Sequence, residues 1–249
     1  MHQLLNCPDD VPAMNFVYRL TACLVLAASA SANEPPTVAT FSIVAVDPAT
    51  GEIGVAVQSK IVGVGAIVPF AKAGIGAVAT QAFANVGYGH LGLFALESHL
   101  DPERAIKLLI RDDPGREMRQ VGIVSASGES ATFTGKECHD WAGGLSGENV
   151  AIQGNILAGP EVIESMAEAF ENTEGVLALR LLSALAAGQE AGGDRRGRQS
   201  ASLLVVRDGW GYGGLNDRFR DIRVDDHPTP ITELKRIYHL HCDLFPRPE

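Results

Sequence analysis

The chain has 249 residues, 46% of them apolar and 20% charged. That is an ordinary globular balance with material for a large core, and it excludes a disordered or low-complexity protein. The formal net charge of −10 argues against nucleic acid as a partner, because phosphate recognition needs clustered cations. Only Asp194-Arg195-Arg196-Gly197-Arg198 concentrates positive charge.

The N-terminal stretch reads as a targeting segment, not as part of the fold. After Met14, Arg19 precedes a short apolar run that ends in the small residues Ala30-Ser31-Ala32. That order is the pattern of a secretory signal peptide, and the run is too short to span a bilayer. The expectation is a start at Met14, removal of residues 1–32, a short pro-segment over 33–39, and one domain over 40–249 in a periplasmic or secreted protein with no membrane span. Export would remove Cys7 and Cys23 and leave Cys138 and Cys242, which an oxidising compartment would allow to pair but whose spacing does not require it.

From Thr40 the chain becomes β-patterned. Thr40 to Val46 and Ile53 to Ser59 read as a hairpin around the turn Asp47-Pro48-Ala49-Thr50-Gly51. Ala66 to Phe70 and Gly76 to Gln81 read as two more strands, nearly continuously apolar, as in sheets buried on both faces. Leu91 to Leu100 is a helix, and Asp101-Pro102-Glu103 opens another that runs to about Arg111, with an N-cap Asp and Pro at the first helical position. Val121 to Ala126 and Ala131 to Thr134 form a second hairpin with Ser127-Gly128 at its tip, and Val150 to Ile156 is a further strand. Pro160 opens a helix with Val162, Ile163, Met166, Ala167 and Phe170 on one face. Val176 to Ala187 is an apolar helix expected to stop at Gly188. Ser200 to Arg207 and Ile222 to Val224 read as strands and Ile231 to His241 as a terminal helix. Hairpins and helices in clusters favour a layered α+β domain over alternating βαβ units.

Several stretches together resemble a known family. They are Thr40 to Ser59, Gly74-Ile75-Gly76-Ala77-Val78-Ala79-Thr80-Gln81, Gln153-Gly154-Asn155 with Pro160-Glu161-Val162, Gly192 to Ala201, and Arg223-Val224-Asp225-Asp226-His227-Pro228. The chain from Thr40 to about Leu240 is similar to DUF1028 proteins. The resemblance implies an α+β fold of N-terminal-nucleophile (Ntn) hydrolase type, a four-layer αββα sandwich of two antiparallel sheets between helical layers. It implies no settled substrate, so the fold follows from it more directly than the reaction.

In Ntn hydrolases the nucleophile is the first residue of the mature chain and begins the first core strand. The resemblance therefore makes Thr40 the candidate nucleophile. Its hydroxyl needs a base, and a free α-amine with a pKa near ~8 suits that task. Many family members begin Met-Thr, whereas here activity would require a cut between Ala39 and Thr40. The alternative is a Thr chosen for β propensity at a strand start.

The remaining candidates each have two readings. Lys60, at the end of the second strand, lies near the nucleophile by resemblance to proteasome-like members; it would hold a substrate carboxylate or lower the amine's proton affinity, or it is a solvated strand-end lysine. Gln81 and the Gln153-Gly154-Asn155 triplet end apolar strands, where the amides of Gln81, Gln153 and Asn155 serve either a substrate oxyanion or amide, or buried backbone groups. Asp194, Arg195 and Arg198, with Arg196, form either a fork for an anionic group or a salt-bridged surface loop. Asp225, Asp226 and His227 lie adjacent on an extended strand and point to opposite faces, so a turn docking the last helix is favoured over a metal site. No cofactor and no metal is expected. No Gly-x-Ser-x-Gly elbow occurs. The sequence thus leads to an exported Ntn-type amidohydrolase acting on a small, anionic amide or peptide-like substrate. A non-catalytic ligand- or envelope-binding domain is the alternative, and a homodimer is an assembly such folds admit.

Overall fold

The structure, a computed structural model, describes residues 40–248; the expected signal peptide and the pro-segment lie outside the described residues. Two antiparallel sheets and five helices make up a mixed α+β architecture.

The larger sheet grows outward from a central hairpin. Strands β1 (Thr40–Asp47) and β2 (Glu52–Ser59) pair in register from Thr40↔Ser59 to Asp47↔Glu52. The connecting turn is closed by the Asp47 carboxylate, which accepts from Ala49 N at 3.0 Å, and ends at Gly51 with φ of +72°, the left-handed region that glycine adopts without strain. The second sheet has order β3 (Pro69–Lys72), β4 (Gly76–Ala82), β5 (Arg119–Ser125), β6 (Ser130–Thr134). The larger sheet is completed by β7 (Gly143–Gly147), β8 (Val150–Asn155), β9 (Ser200–Val206) and β10 (Arg218–Val224), in the order β10-β9-β2-β1-β8-β7.

Period-two alternation explains why strands that read as continuously apolar are needed. On β1, Val44 and Val46 join Val55 and Val57 of β2, Ala77 and Ala79 of β4 and Val124 of β5 in a core between the sheets. The alternate residues Phe41, Ile43 and Ala45 meet α3 (Glu161–Asn172), α4 (Leu177–Glu190) and α5 (Pro230–Leu244) on the outer face. On the outer face of the smaller sheet, Val78, Val121 and Ile123 pack against Tyr88, Ala95, Ala105 and Leu109 of α1 (Gly87–Glu97) and α2 (Pro102–Arg111). The central strands of both sheets are therefore covered on both faces, and apolar residues are required on each.

Most expected elements are present, with five departures, the first being that the helix expected over Leu91 to Leu100 runs over Gly87–Glu97. The expected strand over Ala66 to Phe70 is a 3-10 turn at Val64–Ala66 followed by β3 from Pro69. The Ser200 hydroxyl accepts from Val64 N at 3.1 Å, which fixes a turn there. Helix α4 does not stop at Gly188 but continues to Glu190. A Cβ at Gly188 would lie 2.7 Å from Met166 Cγ, so this glycine serves the close crossing of α3 and α4 instead of ending the helix. Strand β7 was not expected, because Gly143-Gly144 carries no apolar alternation; a Cβ at Gly144 would lie 2.9 Å from the Ile152 carbonyl oxygen. Strand β10 is longer than the expected Ile222 to Val224, reaching back to Arg218 through a register shift between Arg218 and Arg220. The Asp101 cap of α2 is present, its side chain accepting from Arg104 N at 2.8 Å.

Candidate functional site

Thr40 opens β1 between two neighbours, facing Ser59 of β2 on one side and Asn155 of β8 on the other. The alternation that sends Phe41 toward the helices sends Thr40 and Ser42 into the space between the sheets. Thr40 is buried, and its Oγ1 donates to Ser59 Oγ at 3.1 Å.

The two sheets meet at this end through amides where the rest of the interface is aliphatic. Gln81 of β4 donates from Nε2 to the Thr40 carbonyl at 3.2 Å, to the Gln153 carbonyl at 3.2 Å and to Gln120 Oε1 at 2.8 Å. Its Oε1 accepts from Ser42 Oγ at 2.6 Å. Asn155 Nδ2 donates to the same Gln120 Oε1 at 2.9 Å. Gln120 of β5 in turn reaches the Gly154 carbonyl at 2.7 Å and Thr134 Oγ1 at 2.9 Å. Ser42, Gln81, Gln120, Gln153 and Asn155 are all buried. This is a hydrogen-bonded network that fixes the main chain of Thr40 from the opposite sheet.

The structure therefore brings Thr40, Gln81 and Asn155 together. Gln81 uses both its amide oxygen and its amide nitrogen within the protein, the structural one of its two sequence readings. Ser59 and Gln153, both at strand ends that the sequence marks, belong to the same cluster; Ser42 and Gln120 also belong to it and were not singled out from sequence. For Ser42 and Gln120 the available signal was a polar residue at period two within or just before an apolar strand. Gln120 was missed because Val121 reads as the strand's first residue.

The charged candidates gather at the same end of β2 but not around the Thr40 hydroxyl. Asp194 is buried and bridges the strand end to its own loop. Its carboxylate accepts from Lys60 N at 3.0 Å and Arg196 N at 2.9 Å, and pairs with Arg196 Nη2 at 3.0 Å. Lys60 is exposed, and its Nζ lies 3.5 Å from the Arg198 carbonyl oxygen. Arg195 Nη2 donates to the Asp140 carbonyl at 2.7 Å. Arg198 lines a separate cavity of about 360 Å³ beside α4 and α5. The three arginines thus have three different surroundings and do not form one fork.

Near the last helix, Gln199 Nε2 donates to Asp226 Oδ1 at 3.1 Å, and His227 Nδ1 accepts from Thr229 N at 3.0 Å. Asp225-Asp226-His227 is a turn leading into α5. Among the described residues no three His, Cys, Asp or Glu side chains are grouped to hold a metal ion, and Cys138 and Cys242 are both free thiols.

Comparison with known proteins gives a family and a solved structure. The model of a "Family of unknown function (DUF1028)" matches residues 40–234. The crystal structure of protein SPO2555 from Silicibacter pomeroyi, which carries the same family model, is similar at 32% identity with a TM-score of 0.75, over 82% of this chain and 89% of that one. No curated protein matches the chain.

Proposed function

The chain belongs to the DUF1028 family, and on that premise we propose that it is an exported amidohydrolase of the Ntn type with Thr40 as its nucleophile. In this reading the helix–sheet–sheet–helix layering is the Ntn-hydrolase sandwich. A cut between Ala39 and Thr40 frees an α-amine, which takes the proton of the Thr40 hydroxyl as Oγ1 attacks the carbonyl of a small amide or peptide-like substrate. The C–N bond breaks, the amine leaves with that proton, and water then hydrolyses the acyl-enzyme ester. Ser59 Oγ, at hydrogen-bond distance from Oγ1, orients the hydroxyl, and Lys60, the next residue in the chain, supplies the cation for an anionic substrate group once its ammonium leaves the Arg198 carbonyl.

The observation that carries this reading is the position of Thr40. It heads a central strand, its side chain faces the inter-sheet space, and its carbonyl is held by Gln81 from the opposite sheet. Preorganisation of that kind suits a reacting group better than an ordinary strand end. The test is N-terminal sequencing and intact mass of protein recovered from an exporting host. A terminus at Thr40, with amide turnover lost in Thr40→Ala and retained in part in Thr40→Ser, is the expected result. A terminus that stays at Asn33 overturns the mechanism.

A second reading, a non-catalytic ligand- or envelope-binding domain, is favoured by a different observation. The hydrogen-bonding groups beside Thr40 are hydroxyls and amides, and Lys60, the residue after Ser59, directs its ammonium to the Arg198 carbonyl. A periplasmic or secreted location, and a homodimer, belong to either reading.

A further inference from the structure

Helix α1 lies close on the smaller sheet. Tyr88, Gly89, Gly92, Ala95 and Leu96 are its buried residues. A Cβ at Gly89 would lie 2.2 Å from the Phe70 ring, and one at Gly92 would lie 3.0 Å from Val78 Cγ2. The two glycines therefore seat the helix on β3 and β4 and fix which residues it turns away from the sheet. That outward stripe is Gly87, Leu91, Phe94 and the C-cap residue Ser98, all exposed and recurring at helical spacing.

A surface helix ordinarily turns charged side chains to water on this face. Helix α2 does so with Glu103, Arg104, Lys107 and Arg111. From Val86 to Leu96, by contrast, the chain has no Asp, Glu, Lys or Arg. Leu91 is 57%, Phe94 64% and Val86 42% exposed. Together they present on the order of 300 Å² of apolar surface, enough for the centre of a protein interface. On one side His90 and Leu93 carry the surface into an open groove of about 720 Å³ shared with Phe70 and Leu215. Glu97, at the end of the helix, is already paired with Lys72.

Two features identify what covers this face. The stripe runs small, large, large, small from Gly87 to Ser98, with spacings of four, three and four residues, so it reads the same in both directions. A two-fold axis crossing the helix between Gly92 and Leu93 makes it its own complement, because an isologous contact pairs residue i with j and j with i. Leu91 then meets Phe94 of the second copy, and Gly87 meets its Ser98. The other feature is charge. Copies with a net charge of −10 repel one another, and this stretch is a surface on which neither brings an acidic group. It also lacks the Lys and Arg that hold an amphipathic helix on anionic lipid. We propose that α1 packs antiparallel against α1 of a second copy of this chain, the small residues at both ends letting the helices approach to about 8–10 Å. The contact is independent of the reaction at Thr40, since α1 covers the outer face of the smaller sheet and Thr40 faces the space between the sheets.

Sedimentation velocity of the mature protein at about 50 μM tests it. The parent should sediment as a dimer, and Leu91→Glu/Phe94→Glu as a monomer with the parental thermal midpoint. The register is read separately. Gly87→Cys and Ser98→Cys chains, mixed, re-equilibrated and oxidised, should form an intermolecular disulfide that peptide mapping places at those two positions. Ser98→Cys alone should not, because its two copies lie roughly 16 Å apart along the helix pair. This arm removes no apolar side chain, so it decides the question even if the double Glu variant fails to fold. A parent that stays monomeric up to about 100 μM overturns the proposal. So does a folded double Glu variant that remains a dimer, or a dimer without the mixed disulfide. A monomer that floats with phosphatidylglycerol vesicles assigns the face to a lipid surface and overturns it as well. Thr40→Ala should dimerise as the parent does, so failure of the hydrolase reading leaves this result standing.

Discussion

A methyl group added at Gly122 would lie 1.8 Å from Gln153 Oε1. Gly122, on β5, therefore admits the buried amide of β8 across the inter-sheet space, and the close approach of the two sheets at this end depends on the absent side chain.

Gly122→Ala is accordingly expected to destabilise the fold by about 2–4 kcal/mol through overpacking against a buried amide. Gln153→Ala in the same chain should restore part of that loss, since it removes the atom that is struck. Urea denaturation of the parent, both single variants and the double variant measures the coupling; strict additivity would refute the contact.

Gln120 accepts from Gln81 Nε2 and Asn155 Nδ2 and donates to β6 and β8. Gln120→Leu leaves several of those groups buried and unpaired. The expected loss is about 3–5 kcal/mol, larger than for an isolated hydrogen bond. Thr40 loses its fixed geometry indirectly, so any amide turnover should fall in Gln120→Leu while the chain remains folded at low temperature.

Asp113, in the segment between α2 and β5, ties α1 and the start of β5 to its own loop. It accepts from Tyr88 Oη at 2.7 Å, Arg119 Nε at 3.0 Å and Gly115 N at 2.7 Å. Burial pushes its carboxyl up, but the hydrogen bonds from Arg119, Tyr88, Gly115 and Asn85 outweigh burial and hold it well below the usual carboxylate range. A folded-state pKa depressed below the unfolded one gives stability that is fully present above the unfolded value near ~3.9 and lost as pH falls through the folded value. The difference in Tm between the parent and Asp113→Asn should be constant near neutral pH and shrink below about pH 4. A difference that does not change on acidification counts against the clasp.

Cys138 is a second chemical reporter. Burial, with Glu117 adding to it and the Gly135 N–H opposing, pushes its thiol up to about 11. Only roughly a thousandth of it is thiolate at pH 8, so iodoacetamide should label it slowly in the folded protein and rapidly in urea. Peptide mapping after timed alkylation distinguishes it from Cys242; rapid labelling of Cys138 in native protein would contradict this surrounding.

How much of the site was legible depends on where each residue's partners lie in the chain. Thr40 was singled out because it heads a strand and matches a family pattern, and Gln81 and Asn155 because polar residues ending apolar strands are unusual. Gln120 carries no comparable local mark, and Ser59 was visible only as a strand end near Lys60. Their roles come from partners 39 residues away for the Gln120–Gln81 bond and 19 away for Thr40–Ser59. The arginine run was visible as a charge cluster, yet adjacent residues on a loop diverge, and only Asp194 decides that Arg196 is the one paired.

By itself the sequence determined the α+β class, the central hairpin, the capped α2 and the period-two apolar strands, because these follow from backbone preferences and local side-chain alternation. Only the tertiary structure decided which polar residues share the inter-sheet space, why Gly122 and Gly188 lack side chains, and which way α1 turns Leu91 and Phe94. Those outcomes depend on contacts between segments far apart in the chain, where packing distance, not local pattern, sets which residue fits.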